Sequence, residues 1–330
     1  MGIVDVGGWV APGMELIYEQ GTPDFRGQWP AIESMLELAP ARLGRGDWAH
    51  PALALPAVPS RRVRRDAWDT DHAEPPVPPV PAGVLHDNST ARVAALDDAG
   101  VALQLISPGP SIDACLQLPS NLAAGVFAAY NRYITAYCNA HPQRLGAVLQ
   151  IHGSEPRWSA QEVAELRHEP SVRAVSLCLA VRISPDDGRF DPLWEALEQA
   201  GLPLLHRPSF CARIWTPGRL VAYLAGSGVL ERFPGLRVGF VAGDSEGAAD
   251  ELTRRGDAGS SGDTGLASRL FAAATASQLQ RGSDGATAML WASDFPLRGS
   301  LRSELDLVRG ALGARAEEVL IGAPRRFLGA

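Results

Sequence analysis

Residues 190–209 read FDPLWEALEQAGLPLLHRPS, and this stretch decides the fold. Asp191 is placed to cap a helix, and Pro192 suits its first helical position, where the missing N–H is not needed. Gly201 ends the helix after Ala200. The apolar run Leu202–His206 follows with no polar alternation, so it suits a strand buried on both faces. A helix feeding such a strand is the unit of a parallel sheet with helical crossovers.

The same unit recurs outward in both directions. Short runs rich in Val, Leu and Ile stand at Ile3–Val6, Val101–Ser107, Leu145–Ile151, Val172–Leu179, Leu236–Ala242, Leu270–Ala276 and Ala288–Ala292. Between them, Asn121–Ala140 sets Leu122, Val126, Tyr130 and Ile134 on one helical stripe, and Ser159–His168 carries Val163 and Leu166. Eight strands alternating with helices predict an α/β fold, a distorted (β/α)8 barrel, over one domain of residues 1–330. A doubly wound sheet is the alternative, but no GxGxxG turn follows the first run. The stretch 41–83 interrupts the pattern. It holds the charged run Arg61–Asp71 and then Pro75, Pro76, Pro78, Pro79 and Pro81. A loop of this length after strand one reads as a lid or oligomer arm over the mouth, or as a surface loop.

Composition narrows the function classes. The chain has 330 residues, 46% hydrophobic and 20% charged, with a formal charge of −7. That balance carries no basic footprint for nucleic acid. All 30 positive charges are arginine, which excludes Schiff-base lysines, a carbamylated lysine bridging two metals, and a Walker loop. The opening MGIVDVGGWVAPG lacks a charged start followed by an apolar stretch, so no signal peptide is expected there. No apolar segment reaches the roughly 20 residues that span a bilayer. Cys115, Cys138, Cys178 and Cys211 are scattered without CxxC pairing, which suits reduced thiols and predicts a cytoplasmic protein. There is no GxSxG elbow.

From about Ala91 onward, five stretches in order carry a family resemblance. They are ALDDAGVALQLISPGPS, NRYITAYCNAHPQRLGAVLQI, FDPLWEALEQAGLPLLHRPS, GVLERFPGLRVGFVAGD and MLWASDFP. Together they resemble the amidohydrolase superfamily, in the branch of aminocarboxymuconate semialdehyde decarboxylase and its relatives. The resemblance implies a metal site at the barrel mouth and, commonly, a dimer. The family's first strand typically ends in Asp-x-His-x-His or a glutamate variant. Here Asp5-Val6-Gly7-Gly8-Trp9-Val10 stands instead, with Gly7 and Trp9 in the ligand places. His206 and Asp294 survive from the family set. The strand-six ligand place falls near Ala242, and Leu297 stands where a histidine is expected. Two ligands fall short of the three that a bound zinc usually has, so no cofactor is expected. Asp244 or Glu246 would have to complete a weak divalent site, and both read otherwise as helix-capping acids.

The surviving residues admit two readings each. His206 and Asp294 form a general acid–base couple across the mouth, or are remnants kept for hydrogen bonding. Arg207 and Arg298 clamp a substrate carboxylate, or are surface charges. Trp9 and His152 line a substrate pocket, or are a filler and a loop residue. His50, His72 and His86 lack metal spacing. Three functions follow. The first is a non-catalytic subunit, homodimeric or paired with an active amidohydrolase paralogue. The second is a metal-independent decarboxylase, lyase, cyclase or hydrolase acting on a small aromatic or carboxylated molecule through His206 and Asp294. The third is a small-molecule binding protein.

Overall fold

The computed structural model describes residues 2–43, 88–109, 112, 115–179, 184–206, 217–241, 268–280, 289–296 and 300–329. Eight strands pair in chain order, each parallel to the next. They are β1 (Val4–Val10), β2 (Leu103–Pro108), β3 (Leu145–His152), β4 (Val172–Cys178), β5 (Leu204–His206), β6 (Val238–Val241), β7 (Leu270–Ala274) and β8 (Met289–Trp291). The helices are α1 (Met14–Gln20), α2 (Pro23–Leu43), α3 (Ser89–Ala99), α4 (Ser120–Asn139), α5 (Pro156–Leu166), α6 (Asp191–Ala200), α7 (Pro217–Gly226), α8 (Val229–Arg232), α9 (Ala276–Gln280), α10 (Leu301–Leu312) and α11 (Ala323–Leu328). The architecture is the predicted (β/α)8 barrel. It is distorted at one seam: among the described residues β8 and β1 share no ladder, and Trp9 N–H donates to the carbonyl of Phe295 just past β8 at 3.1 Å.

Strand alternation divides the apolar residues into two cores. Val4, Val6, Leu103, Leu105, Val148, Ala174, Leu205, Val241, Phe271, Ala273, Leu290 and Ala292 pack inside the barrel. Their neighbours, such as Leu149, Val175, Leu204 and Phe240, join the helix layer outside, where α4 contributes Val126, Phe127, Tyr130 and Ile134. From α11, Phe327 enters the inner core, edge-on to Phe271 with ring centroids 5.3 Å apart. A Cβ on Gly239 would stand 3.0 Å from that ring, so glycine makes room for it. Phe271 and Gly239 are both second residues of their strands, so α11 closes the end where strands begin. The opposite end is the one where barrel enzymes place their chemistry.

Local signals hold with small shifts. Gly201 ends α6 in the left-handed conformation, with φ 63°. Phe190, not Asp191, is the N-cap of that helix. Asp191 sits one position inside, where its carboxylate accepts from Arg232 at 2.9 Å. The helix α2 runs to Leu43, so residues 41–43 of the expected 41–83 insertion are helical. The remainder of that insertion lies outside the described residues, as do His50, His72 and His86.

Candidate active site

The sequence reading ends the first strand at Val6, yet β1 continues to Val10. Two glycines ordinarily weaken a strand, but here each admits a close neighbour. Register shows how the strand continues. Asp5 pairs with Gln104 and Gly8 with Ile106, so three steps on β1 match two on β2. The extra residue is a β-bulge, and it reverses which face the later side chains occupy. Asp5 faces outward with Gln104, towards α3. Beyond the bulge Trp9 pairs with Ser107 on the inner face, where its indole is buried.

Asp5 is the hub of the seam. Its Oδ1 accepts from the backbone N–H groups of Gly7 and Ser293, each at 2.9 Å. Its Oδ2 accepts from Gln104 Nε2 at 2.6 Å and Ser293 Oγ at 2.5 Å. Burial pushes the Asp5 carboxyl above the ordinary carboxylate range, against the pull of these donors. Behind it, the buried Arg92 of α3 donates to Gln104 Oε1 at 2.7 Å, Trp9 O at 2.9 Å and Tyr137 OH at 3.1 Å. Its guanidinium also lies 5.4 Å from the Phe295 ring centroid. This network does the work of the absent β8–β1 ladder.

Asp294 follows directly from it. Ser293 is fixed by Asp5, and its Oγ accepts from Phe295 N–H at 3.0 Å. The carbonyl of Asp294 accepts from Trp9 Nε1 at 3.1 Å. Held on both sides, Asp294 adopts φ 55°, the one positive φ outside glycine among the described residues. Such conformations cost energy and gather at functional sites.

The cation that the sequence resemblance implies does not fit β1. A Cβ on Gly7 would stand 2.5 Å from Ala292 Cα and Cβ and 2.7 Å from its carbonyl carbon, so β8 occupies the space a ligand side chain would need. Trp9 offers an N–H already donated to Asp294 and no lone pair for a metal. Among the described residues, no group of three or more His, Cys, Asp or Glu is placed to hold an ion. Ala242, Asp244, Glu246 and Leu297 lie outside the described residues, as do Arg207 and Arg298.

The remaining predicted residues are spread around the barrel. His206 ends β5 in register with Phe240, and the two rings meet edge-on at 6.2 Å. Leu205 packs inside and Phe240 outside, so alternation puts His206 on the helix-facing side. Trp9 and Asp294 are brought together, while His206 stands three strands from β8. His152 ends β3, buried, with its ring 5.7 Å from that of Phe127 on α4. Its Nδ1 accepts from Ser154 N–H at 3.0 Å, which leaves the proton on Nε2. Burial lowers its pKa and favours the neutral ring, partly opposed by Glu155.

Sequence reasoning missed a clamp on β3. Pairing between β2 and β3 stops at Ile106 and Ala147, which leaves the upper part of β3 without that partner. Asn131 of α4 substitutes for it. Its Oδ1 accepts from Gln150 N–H at 2.7 Å, and its Nδ2 donates to Gln150 O at 3.0 Å and to Glu162 Oε1 at 2.9 Å. The available signal was an amide side chain among Phe127, Tyr130 and Ile134, on the buried face of an apolar helix.

Comparison with known proteins agrees with this architecture. A family model described as amidohydrolase matches residues 116–241. No curated protein matches the chain. Similar solved structures include an amidohydrolase from Mycobacterium avium subsp. paratuberculosis K-10, 16% identical over 100% of this chain and 98% of that one, TM-score 0.69. A 5-carboxyvanillate decarboxylase from Sphingomonas paucimobilis is 19% identical over 99% of each chain, TM-score 0.63. A 2,6-dihydroxybenzoate decarboxylase from Rhizobium is 14% identical over 74% of this chain and 89% of its own, TM-score 0.59. The fold is that of the amidohydrolase-superfamily barrel. The comparisons reach the superfamily's fold and do not single out the aminocarboxymuconate semialdehyde decarboxylase branch. Among the described residues, no helix is long and apolar enough to cross a membrane.

Proposed function

We propose that this chain is an amidohydrolase-type barrel that decarboxylates a small aromatic carboxylate without the family's β1-bound metal. The observation behind the proposal is the hold on Asp294. Trp9 and the Asp5–Ser293 pair keep it in a left-handed conformation at the mouth of the barrel. Structure spent on restraining the backbone that carries this carboxylate argues for a task there. The similar decarboxylases of 5-carboxyvanillate and 2,6-dihydroxybenzoate suggest the substrate class. Trp9, at a former ligand place, gives such a ring an aromatic wall.

In this reading Asp294 delivers a proton to the ring carbon that bears the carboxylate. The bond from that carbon to the carboxylate then breaks. Its electron pair restores the aromatic ring, CO2 leaves, and water reprotonates Asp294. In this reading Arg207 and Arg298 supply the charge that receives the carboxylate. The partner-subunit reading gains no support from the fold or from the comparisons.

The test is CO2 release from a panel of hydroxybenzoates by the purified chain, with and without EDTA. The expected result is turnover that EDTA leaves unchanged and that Asp294→Asn abolishes. Turnover that appears only with added metal, or survives intact in Asp294→Asn, overturns the reading.

A further inference from the structure

Gln150 is fully buried on β3, and its position is fixed more firmly than packing requires. Asn131 bonds both its backbone groups from α4. By alternation with Val148, an inner-core residue, its side chain enters the barrel interior. There Nε2 is shared among Cys178 Sγ at 3.0 Å, Ile151 O at 3.1 Å and Ser176 O at 3.2 Å. Those acceptors fix the orientation of the amide, because a flipped amide would set its oxygen against two carbonyls. The nitrogen is turned to β4, so the oxygen is turned away from it, inside the barrel. Among the described residues, that oxygen has no hydrogen-bond partner. A buried amide acceptor left unpaired is costly, and such groups are rare in folded proteins.

We propose that Gln150 Oε1 is the subsite that receives a hydroxyl group on the aromatic ring of the substrate. This rests on the proposed function and names the substrate more closely. A neutral amide oxygen needs a donor, so it accepts from a phenol and repels a carboxylate. It therefore distinguishes a hydroxybenzoate from the plain benzoate and from the methyl ether, which accepts hydrogen bonds but cannot donate one. A site built to bond a hydroxyl rejects the analogue lacking it, because its own buried group is then unpaired.

The experiment is calorimetric titration of the whole chain with benzoate and with the 3- and 4-isomers of hydroxybenzoate and methoxybenzoate. At least one hydroxybenzoate is expected to bind about tenfold or more tightly than its methyl ether and benzoate. In Gln150→Met, of nearly equal volume, that preference is expected to vanish. Should that variant lose cooperative thermal unfolding, Gln150→Asn withdraws the oxygen by one methylene and is expected to lose the same preference. Binding without hydroxyl preference in the wild type overturns the subsite alone. So does a preference that persists in the variants, which would mean that water satisfies the oxygen. If none of the probes binds, the proposed function falls and the subsite with it.

Discussion

Replacing Gly7 with alanine tests the central claim about β1, that β8 fills the space where a metal ligand would stand. The added Cβ would lie 2.5 Å from Ala292 Cα and Cβ and 2.7 Å from its carbonyl carbon. Carbon atoms ordinarily meet at about 3.5–4.0 Å, so the strands must part by about 1 Å. Overpacking of this kind costs about 1–3 kcal/mol, and the upper end applies where backbone must move. Parting β1 from β8 also stretches the Asp5–Ser293 and Trp9–Phe295 bonds that close the seam. Gly7→Ala is therefore expected to lose about 3 kcal/mol of unfolding free energy in urea titrations, measured against wild type with the slope unchanged. Ala292→Gly added to it removes one of the three crowding atoms and leaves both backbone carbons, so rescue should stay below about 1 kcal/mol. A Gly7→Ala protein within about 0.5 kcal/mol of wild type would refute the reasoning. Full rescue by Ala292→Gly would show that only the side chain crowds the place.

The other predictions concern the groups around the seam. Asp5→Asn sets an amide N–H2 against donors and should cost about 3 kcal/mol by urea titration, more than Ser293→Ala, whose partner keeps its other donors. Asp294→Gly and Asp294→Asn relieve or tolerate φ 55° and should unfold near the wild-type midpoint. Asp294→Ala should lose about 1 kcal/mol from its strained backbone, so thermal melts separate the residue's conformation from its chemistry. His152 has a folded pKa below its ordinary 6.5. The unfolded chain therefore takes up a proton first as pH falls. The stability this ring contributes is whole above that value and declines as pH drops towards the folded pKa. His152→Gln should flatten that slope in melts taken between neutral and mildly acid pH, and an unchanged slope would assign it to other groups.

The parts of this barrel that obey a period were legible in the sequence. All eight apolar runs are strands, because a strand buried on both faces must be apolar throughout, and the Asp-Pro…Gly punctuation of 191–201 brackets α6 to within one residue. The apolar run ends at Val6, because Gly7 and Gly8 add no apolar side chain to it, yet β1 continues to Val10. The purpose of these glycines is visible only against Ala292, which lies 285 residues on in the chain, and against Gln104. The site was legible as residue types and not as geometry. That Gly7 and Trp9 are poor ligands follows from their chemistry, but that Trp9 faces inward depends on one bulge in register. His206 illustrates the same limit from the other side. Its alternation is counted from Leu205, and a strand of three residues gives a periodic argument little to count.

The bulge also places Asp5 where the barrel closes. In the pattern that the sequence resembles, this aspartate precedes two metal-binding histidines. Here Asp5 binds four donors drawn from β1, β2 and the end of β8. Removing it would take from Gln104 Nε2 its carboxylate acceptor, on the same amide whose oxygen Arg92 binds. Buried networks of this kind are held together or lost together, because a half-satisfied one costs more than none. The places that follow Asp5 are taken here by a glycine that admits β8 and an indole that donates to the Asp294 carbonyl. Asp5 has no such freedom, because the barrel closes through it.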